Sequence, residues 1–298
     1  MSADEADAFK GWTRPGPRPP AGVGVEPGET LDYLSGRCRI FQYEKGHRYS
    51  TDDILVAWQG ARCAPLVRRA LDLGSGIGSV ALTLAWKLPG ATFVTVEAQE
   101  LSLRLARKSV RYNGLGERFR LLQGDLRDAS LLADESPFDL VTGSPPYFPP
   151  GTALAAESEQ AVGARIELLG SVADYARTAA RHLAPGGVFA FVFPFAQLSR
   201  AEEAIQEAGL VTVNRRDVVF KEGKTPALSL FACWRRSDLP GTFAGFVEPP
   251  LAIRTADGAT TKEYAAVRLS LGIPPGQPEG ETLRAAAAPA VQPVAQAH

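Results

Sequence analysis

Two short stretches of this chain combine residue types suited to chemistry: Asp72-Leu-Gly-Ser-Gly-Ile-Gly78 and, about seventy positions later, Ser144-Pro-Pro-Tyr-Phe148. In the first, Gly74 and Gly76 allow a sharp backbone turn and close approach to a ligand, and Gly78 lets a helix start against a strand. Dinucleotide enzymes hold a pyrophosphate on similar loops. Here Asp72 stands just before the glycines, and its carboxylate suits a cation better than a phosphate. The plain alternative is an ordinary strand-to-helix turn.

S-adenosylmethionine carries an ammonium and a sulfonium but no phosphate, which agrees with Asp72. Glu97, closing Val-Thr-Val-Glu, is a candidate acceptor for two ribose hydroxyls. Asp125, in Gln-Gly-Asp-Leu, is a candidate acceptor for an adenine amine, although Asp also caps helices. The expected cofactor residues are therefore Asp72, Gly74, Gly76, Gly78, Glu97 and Asp125.

In the second stretch, Pro145 and Pro146 fix two φ angles and remove two donors, leaving a stiff turn rich in carbonyl acceptors. Tyr147 offers a flat face for stacking a base, worth ~1–3 kcal/mol. An exocyclic amine is a poor nucleophile because its lone pair is delocalised into the ring. Acceptors aimed at its N–H bonds favour the charge-developing transition state. The Ser144 hydroxyl and the Pro145 carbonyl are the expected pair, so Ser144, Pro145, Pro146 and Tyr147 form the expected catalytic set. A base within a helix would first have to be flipped out.

These residues need a scaffold that brings them together. Strands are expected at 69–73, 92–98, 119–123, 138–142 and 188–193, with helices at 77–88, 99–112, 165–183 and 198–208. Two further strands, 211–220 and 227–234, follow with no helix between them. Strand–helix alternation predicts an α/β fold with a mostly parallel sheet, and the closing hairpin adds an antiparallel strand. This is the seven-stranded, Rossmann-like pattern of class I methyltransferases. In such sheets ligands bind beyond the carboxyl ends of the strands, where 72–78, Glu97, Asp125 and 144–148 all fall.

The chain has 298 residues, 45% of them hydrophobic. Residues 1–28 and 266–298 are rich in Gly, Pro, Ala or charge and offer no apolar face, so both read as disordered tails. One domain is expected over 29–265, with 29–68 as an N-terminal cap. The formal net charge of −1 excludes a generic polyanion binder. Cys38, Cys63 and Cys233 form no Cys-x-x-Cys pair, which argues against structural zinc or a disulfide framework, and no metal is expected. No signal peptide or long apolar run is evident, so the cytoplasm is the expected compartment. Arg104, Arg107, Lys108 and Arg111 form a basic helical stripe, more simply read as a solvated face than as a nucleic-acid track. His47 and His182 read as structural. Thr51, Asp52 and Asp53 read as a helix cap with acidic residues in the first turn.

From residue 31 to 234 the chain resembles the bacterial tRNA-valine adenine-N(6) methyltransferase family. The likeness rests on Tyr49-Ser-Thr-Asp-Asp-Ile-Leu55, the 72–78 loop, Val96-Glu-Ala-Gln99, Phe138-Asp-Leu-Val-Thr-Gly-Ser-Pro-Pro-Tyr-Phe148 and Ala164-Arg-Ile-Glu167. It implies methyl transfer from S-adenosylmethionine to an adenine beside a tRNA anticodon. It also implies a position for Asp52 near the cofactor, with Phe148 and Arg165 on the substrate side; Lys221 and Lys224, in the hairpin loop beside Gly223 and Pro226, are placed by their position for RNA contact near the site rim. That family usually has Asn where this chain has Ser144. A Ser-Pro-Pro-Tyr loop is similar to that of DNA cytosine-N(4) methyltransferases. Release-factor glutamine methyltransferases share a related loop but carry a helical N-terminal domain for which 29–68 is too short. A small-molecule methyltransferase and a non-catalytic module of the same fold are the readings from other classes.

Overall fold

A computed structural model of the chain describes residues 8–9, 11–46, 48–135, 137–148 and 167–277. His47 and Arg165 lie outside these described residues, as does most of the expected C-terminal tail.

A short pair of strands, Ala8–Phe9 and Trp12–Thr13, opens the described chain. A hairpin follows, made of β1 (Glu29–Tyr33) and β2 (Arg39–Tyr43). Helix α1 (Thr51–Cys63) leads into the alternating body: β3 (Arg69–Leu73), α2 (Ser79–Lys87), β4 (Thr92–Glu97), α3 (Glu100–Tyr112), β5 (Phe119–Gln123), β6 (Phe138–Gly143), α4 (Val172–His182), β7 (Leu183–Pro194) and α5 (Leu198–Glu207). The chain then runs through β8 (Leu210–Lys221), β9 (Leu228–Arg235), β10 (Phe246–Arg254) and α6 (Lys262–Ser270).

The main sheet has eight strands in the order β10-β8-β9-β7-β6-β3-β4-β5. The eighth, β10, corrects the expected seven; it pairs parallel to β8 at the edge. Strand β9 is antiparallel to both neighbours, β8 and β7, so the closing hairpin folds inward and its second strand lies inside the sheet. Consequently β8 runs the same way as the parallel strands, and Lys221 at its end reaches the same rim as Leu73 and Gly143.

Central strands are apolar throughout because both of their faces are covered. In β7, Val188 to Phe193 are all buried, and Phe189, Phe191 and Phe231 stack at centroid separations of 4.7 and 4.6 Å. One face packs against Leu55 and Val56 of α1, Val80 and Leu84 of α2, and Tyr264 and Val267 of α6. The other packs against Tyr175, Ala176 and Ala179 of α4, with Ala201 and Ile205 of α5. The β1–β2 hairpin docks on α3, where the Asn113 side chain accepts from the Arg39 N–H and donates to its carbonyl.

The domain limits differ from expectation at both ends. Leu271 is fully buried and Ile273 nearly so, packed with Ile54 of α1, and the Gly36 N–H donates to the Gly272 carbonyl at 2.7 Å. The folded body therefore extends past 265 to about residue 277. At the other end, Pro15 accepts from the Arg37 N–H and the Ala21 N–H reaches the Tyr112 carbonyl. Residues 11–28 thus lie along the hairpin and α3. Helix α4 begins at Val172 with Ser171 as its cap, later than the expected 165.

Candidate functional site

Strands β3 and β6 are hydrogen-bonded neighbours, with Asp72 opposite Thr142 and Leu73 opposite Gly143. The two loops singled out in the sequence therefore leave the sheet side by side, about one strand spacing (~4.8 Å) apart. Gly74, Gly76 and Gly78 all have positive φ (59°, 56° and 84°), a region L side chains rarely occupy. A Cβ on Gly74 would strike the Tyr175 hydroxyl, whereas one on Gly76 would meet only open space. Gly76 therefore leaves room for a ligand against its backbone.

The loops border an open cleft. Its lining includes Gly74, Gly76, Glu97, Ser144 and Pro146 from the expected set. Glu97 is buried, and it accepts from the Gly76 and Gln99 N–H groups at 2.7 Å each. Burial pushes its pKa up, and those backbone donors pull against the rise. Asp72 is only 2% exposed; Oδ1 accepts from Thr142 at 2.7 Å, while Oδ2 has no partner. Burial raises its pKa to about 7, and the Asp53 and Glu97 carboxylates add to the rise.

Ser144 Oγ is buried without a hydrogen-bond partner at the wall of this cleft. Ser75 Oγ, also in the lining, is likewise unpaired. Tyr147 lies a step away: its ring meets Phe193 edge-on at 5.9 Å, and its hydroxyl donates to Asp52 Oδ2 at 2.5 Å. Burial and that carboxylate hold the phenol well above its ordinary pKa, so it stays neutral.

Asp52, expected on the cofactor side, accepts from the Tyr147 hydroxyl, and its neighbour Asp53 lines the cleft. Burial pushes the Asp53 carboxyl up to about 6, although it accepts from the Ser50 N–H. The helix cap is Ser50, one residue before the expected Thr51, and Asp53 completes a capping box with it. Asp125 accepts from the Arg127 N–H and guanidinium at 2.8 and 2.9 Å; Gly124 and Leu126 on either side of it line the cleft.

The sequence reading missed Asp53, Ser75 and Tyr175. Tyr175 comes from α4 and fits over Gly74 and Gly143, neither of which leaves room for a Cβ against its ring. In the sequence it stands inside the expected 165–183 helix, with nothing local to mark it as a cleft residue. The basic stripe on α3 is largely neutralised: Lys108 binds Glu29 at 2.5 Å and Glu26 at 3.0 Å, and Arg107 binds Glu100 at 3.0 Å. Lys221 and Lys224 are exposed at the β8–β9 turn, three strand spacings (~14 Å) across the rim from Ser144.

A methyltransferase domain model matches residues 70–187. The chain is 29% identical over 227 residues to a tRNA1(Val) (adenine(37)-N6)-methyltransferase of Porphyromonas gingivalis, covering 75% of this chain and 87% of that protein. It is 36% identical over 129 residues to a release factor glutamine methyltransferase of Gloeobacter violaceus, covering 41% of this chain and 44% of that one. A third relative is a 4-amino-L-phenylalanine/4-methylamino-L-phenylalanine methyltransferase of Streptomyces pristinaespiralis. It is 39% identical over 140 residues, with 43% of this chain and 46% of that one covered. The last two matches thus span less than half of each relative. Among solved structures, a predicted O-methyltransferase of Agrobacterium tumefaciens aligns with a TM-score of 0.55 at 19% identity, over 78% of this chain and 100% of that one. Sheet order and glycine cradle give this chain the class I methyltransferase fold, its residues 70–187 match a methyltransferase domain, and over three quarters of its length it is similar to tRNA1(Val) (adenine(37)-N6)-methyltransferases.

Proposed function

We propose that this protein methylates the exocyclic amino group of a nucleic-acid base, adenine-N6 of a tRNA, in the cytoplasm. The observation that carries the reading is the unpaired, buried Ser144 oxygen on the wall of the cofactor cleft, at the head of a Pro-Pro turn. A buried hydroxyl without a partner is costly, so a ligand donor is its natural complement.

The cleft suits the cofactor. Asp53 and Glu97 in its lining, with the buried Asp72 electrostatically coupled to both, offer negative charge to a cationic ligand, Gly76 leaves space for it, and Ser75 supplies an unpaired hydroxyl. When bound, S-adenosylmethionine supplies an electrophilic methyl group on its sulfonium. The chain's own task is to position the acceptor. Ser144 Oγ and the Pro145 carbonyl accept from the two N–H bonds of the amine, which holds its lone pair toward the cleft. Tyr147, neutral and tied to Asp52, keeps a fixed aromatic wall at the loop's outer end. Lys221 and Lys224 on the same rim are within reach of a phosphate backbone, and Phe148 lies next to Tyr147 on the substrate side. Arg165 stays in the proposal on the family resemblance alone.

The three relatives named above act on an adenine, a glutamine and an aminophenylalanine. Each offers a nitrogen conjugated to a flat π system, which is the demand that the Ser-Pro-Pro-Tyr loop answers. The match to the tRNA enzymes extends over far more of the chain, and this favours RNA.

The test is incubation with methyl-labelled S-adenosylmethionine and total tRNA, total DNA, cell protein or aromatic amines, followed by mass spectrometry. N6-methyladenosine in tRNA is the expected product. Label appearing only on protein glutamine, only on cytosine-N4 of DNA or only on a small aromatic amine would replace this reading.

A further inference from the structure

Pro145 and Pro146 give the loop its stiffness, but they also deprive it of two N–H groups by which it could be tied to its surroundings. Any anchoring has to act largely on its carbonyls and on Tyr147. The structure contains such an anchor, built from residues outside the loop. The Gln197 side-chain amide donates to the Tyr147 carbonyl at 2.8 Å. Gln197 Oε1 in turn accepts from one guanidinium nitrogen of Arg200, and the other donates to Glu167 Oε1 at 2.7 Å. The Glu167 N–H then returns to the loop, donating to the Phe148 carbonyl at 2.9 Å.

The hydrogen bonds therefore form a closed ring: Tyr147 carbonyl, Gln197, Arg200, Glu167, Phe148 carbonyl. Both consecutive carbonyls at the loop's end are held, each by a different donor. The Glu167 carboxylate is well shielded, its side chain only 7% exposed, which makes its charge-assisted bond to Arg200 hard to replace by water. Arg200 also lies over the Phe193 ring at 5.7 Å, the same ring that Tyr147 meets edge-on. Gln197 stands at the N-cap of α5 yet makes no capping bond with its side chain. Its hydrogen-bonding capacity goes to the loop and to Arg200.

We propose that Gln197 and Arg200 are positioning residues for methyl transfer, fixing the aim of the Ser144–Tyr147 acceptors through this ring. The inference rests on reading that loop as the catalytic one. Neither residue lines the cofactor cleft, so their effect falls on the acceptor's placement and leaves the cofactor's affinity alone.

The test compares Gln197→Ala, Arg200→Ala, the double variant and Arg200→Lys with the wild type, all as full-length protein. The single alanine variants are expected to bind S-adenosylmethionine within twofold of the wild type by calorimetry. Their kcat on the methylated substrate is expected to fall roughly tenfold to a hundredfold, with KM little changed, as for a small misplacement of reacting groups. The double variant is expected to lose no more than the worse single one, because one ring is broken in each case. Arg200→Lys, which keeps one charged donor, is expected to recover part of the loss. Hydrogen exchange supplies a readout independent of activity: the Glu167 amide, which donates to the Phe148 carbonyl, should exchange faster in both alanine variants. Wild-type kcat in Gln197→Ala and Arg200→Ala, or losses that multiply in the double variant, would overturn the proposal. If the wild type methylates no amine at all, the functional reading fails instead. Unchanged exchange at the Glu167 amide would then overturn the ring's role on its own.

Discussion

Asp72 is predicted to weaken the empty protein and to be needed by the filled one. Its carboxyl is 2% exposed, one oxygen is unpaired, and two further carboxylates, Asp53 and Glu97, contribute to a pKa of about 7 against 3.8 for an ordinary aspartate. A proton is therefore bound more tightly in the folded state. The resulting stabilisation is complete below about pH 4 and is lost as pH rises through about 7. At pH 8 the ionised group costs about 4 kcal/mol relative to an unperturbed carboxylate.

Asp72→Asn removes that charge and can still accept the Thr142 bond. It introduces a buried amide with no partner, at a cost of about 1–3 kcal/mol. The variant should therefore melt a few degrees above the ligand-free wild type at pH 8, given roughly 2–4 °C per kcal/mol for a domain of this size. At pH 5, where the wild-type group is already protonated, that advantage should vanish. Affinity for S-adenosylmethionine should move the other way: in the wild type it should fall about tenfold between pH 8 and pH 6 as Asp72 takes up a proton, and in Asp72→Asn it should be weak throughout. Thermal denaturation at both pH values, with calorimetric titration of the cofactor, measures both trends. A variant less stable than the wild type by the same margin at pH 5 and pH 8 would refute the account of a charge stored for a cationic ligand.

Other substitutions separate the parts of the site. Gly74→Ala places a Cβ against the Tyr175 hydroxyl at a φ of +59°, and is expected to lose cofactor binding together with at least ~2 kcal/mol of stability, measured by calorimetry and denaturant titration. Tyr147→Phe keeps the ring and removes the 2.5 Å bond to Asp52; cofactor affinity should stay put while single-turnover methyl transfer slows roughly threefold to tenfold. Arg216→Ala, far from the cleft, strips a buried guanidinium from Glu263 at 2.6 Å and the Pro249 carbonyl at 2.9 Å. It should cost about 1–3 kcal/mol in denaturant titrations, because the Pro249 carbonyl loses its donor while the half-exposed Glu263 is rehydrated, and leave cofactor affinity unchanged in the folded protein. Truncation after residue 265 should lower Tm by several degrees, because it removes Leu271 and Ile273 from their contact with Ile54.

What the sequence announced and what it withheld divide along a physical line. The glycine loop was readable because its signal is local. Three glycines at positive φ have few uses, and the strand before and helix after them follow from apolar periodicity. Ser144, Pro145 and Pro146 were readable for the same reason, since proline acts on its own backbone. Asp53 and Tyr175 were not, because each reaches the cleft from an element whose place depends on the whole sheet. Asp53 looked like one of two equivalent first-turn acids on α1. Only the rotation of that helix decides that Asp53 faces the cleft while Asp52 meets Tyr147. The α3 stripe misleads in a similar way, since the partners of Lys108 lie about eighty residues earlier in the chain. Leu271 and Ile273 went unnoticed because two apolar residues among glycines and prolines make no period.

The Ser144–Phe148 loop, proposed as catalytic, sits on both sides of this line. Its chemistry is local: acceptors, a flat ring and a backbone with two donors removed. Its aim is tertiary, because those missing donors force the anchoring onto carbonyls, and the groups that meet them, Gln197 and the Glu167 N–H, lie beyond residue 166 in sequence. A loop made rigid by proline is thus rigid in shape but not in orientation. In the proposed mechanism, Ser144 would specify which amine is accepted only insofar as the bonds of Tyr147 to Asp52 and Gln197, and of Arg200 to Glu167, hold the loop in place. Changing the target base by mutation therefore involves that support as well as residue 144. Ser144→Asn alone adds reach at the acceptor position and leaves the ring intact, so it should alter activity on adenine without altering cofactor affinity.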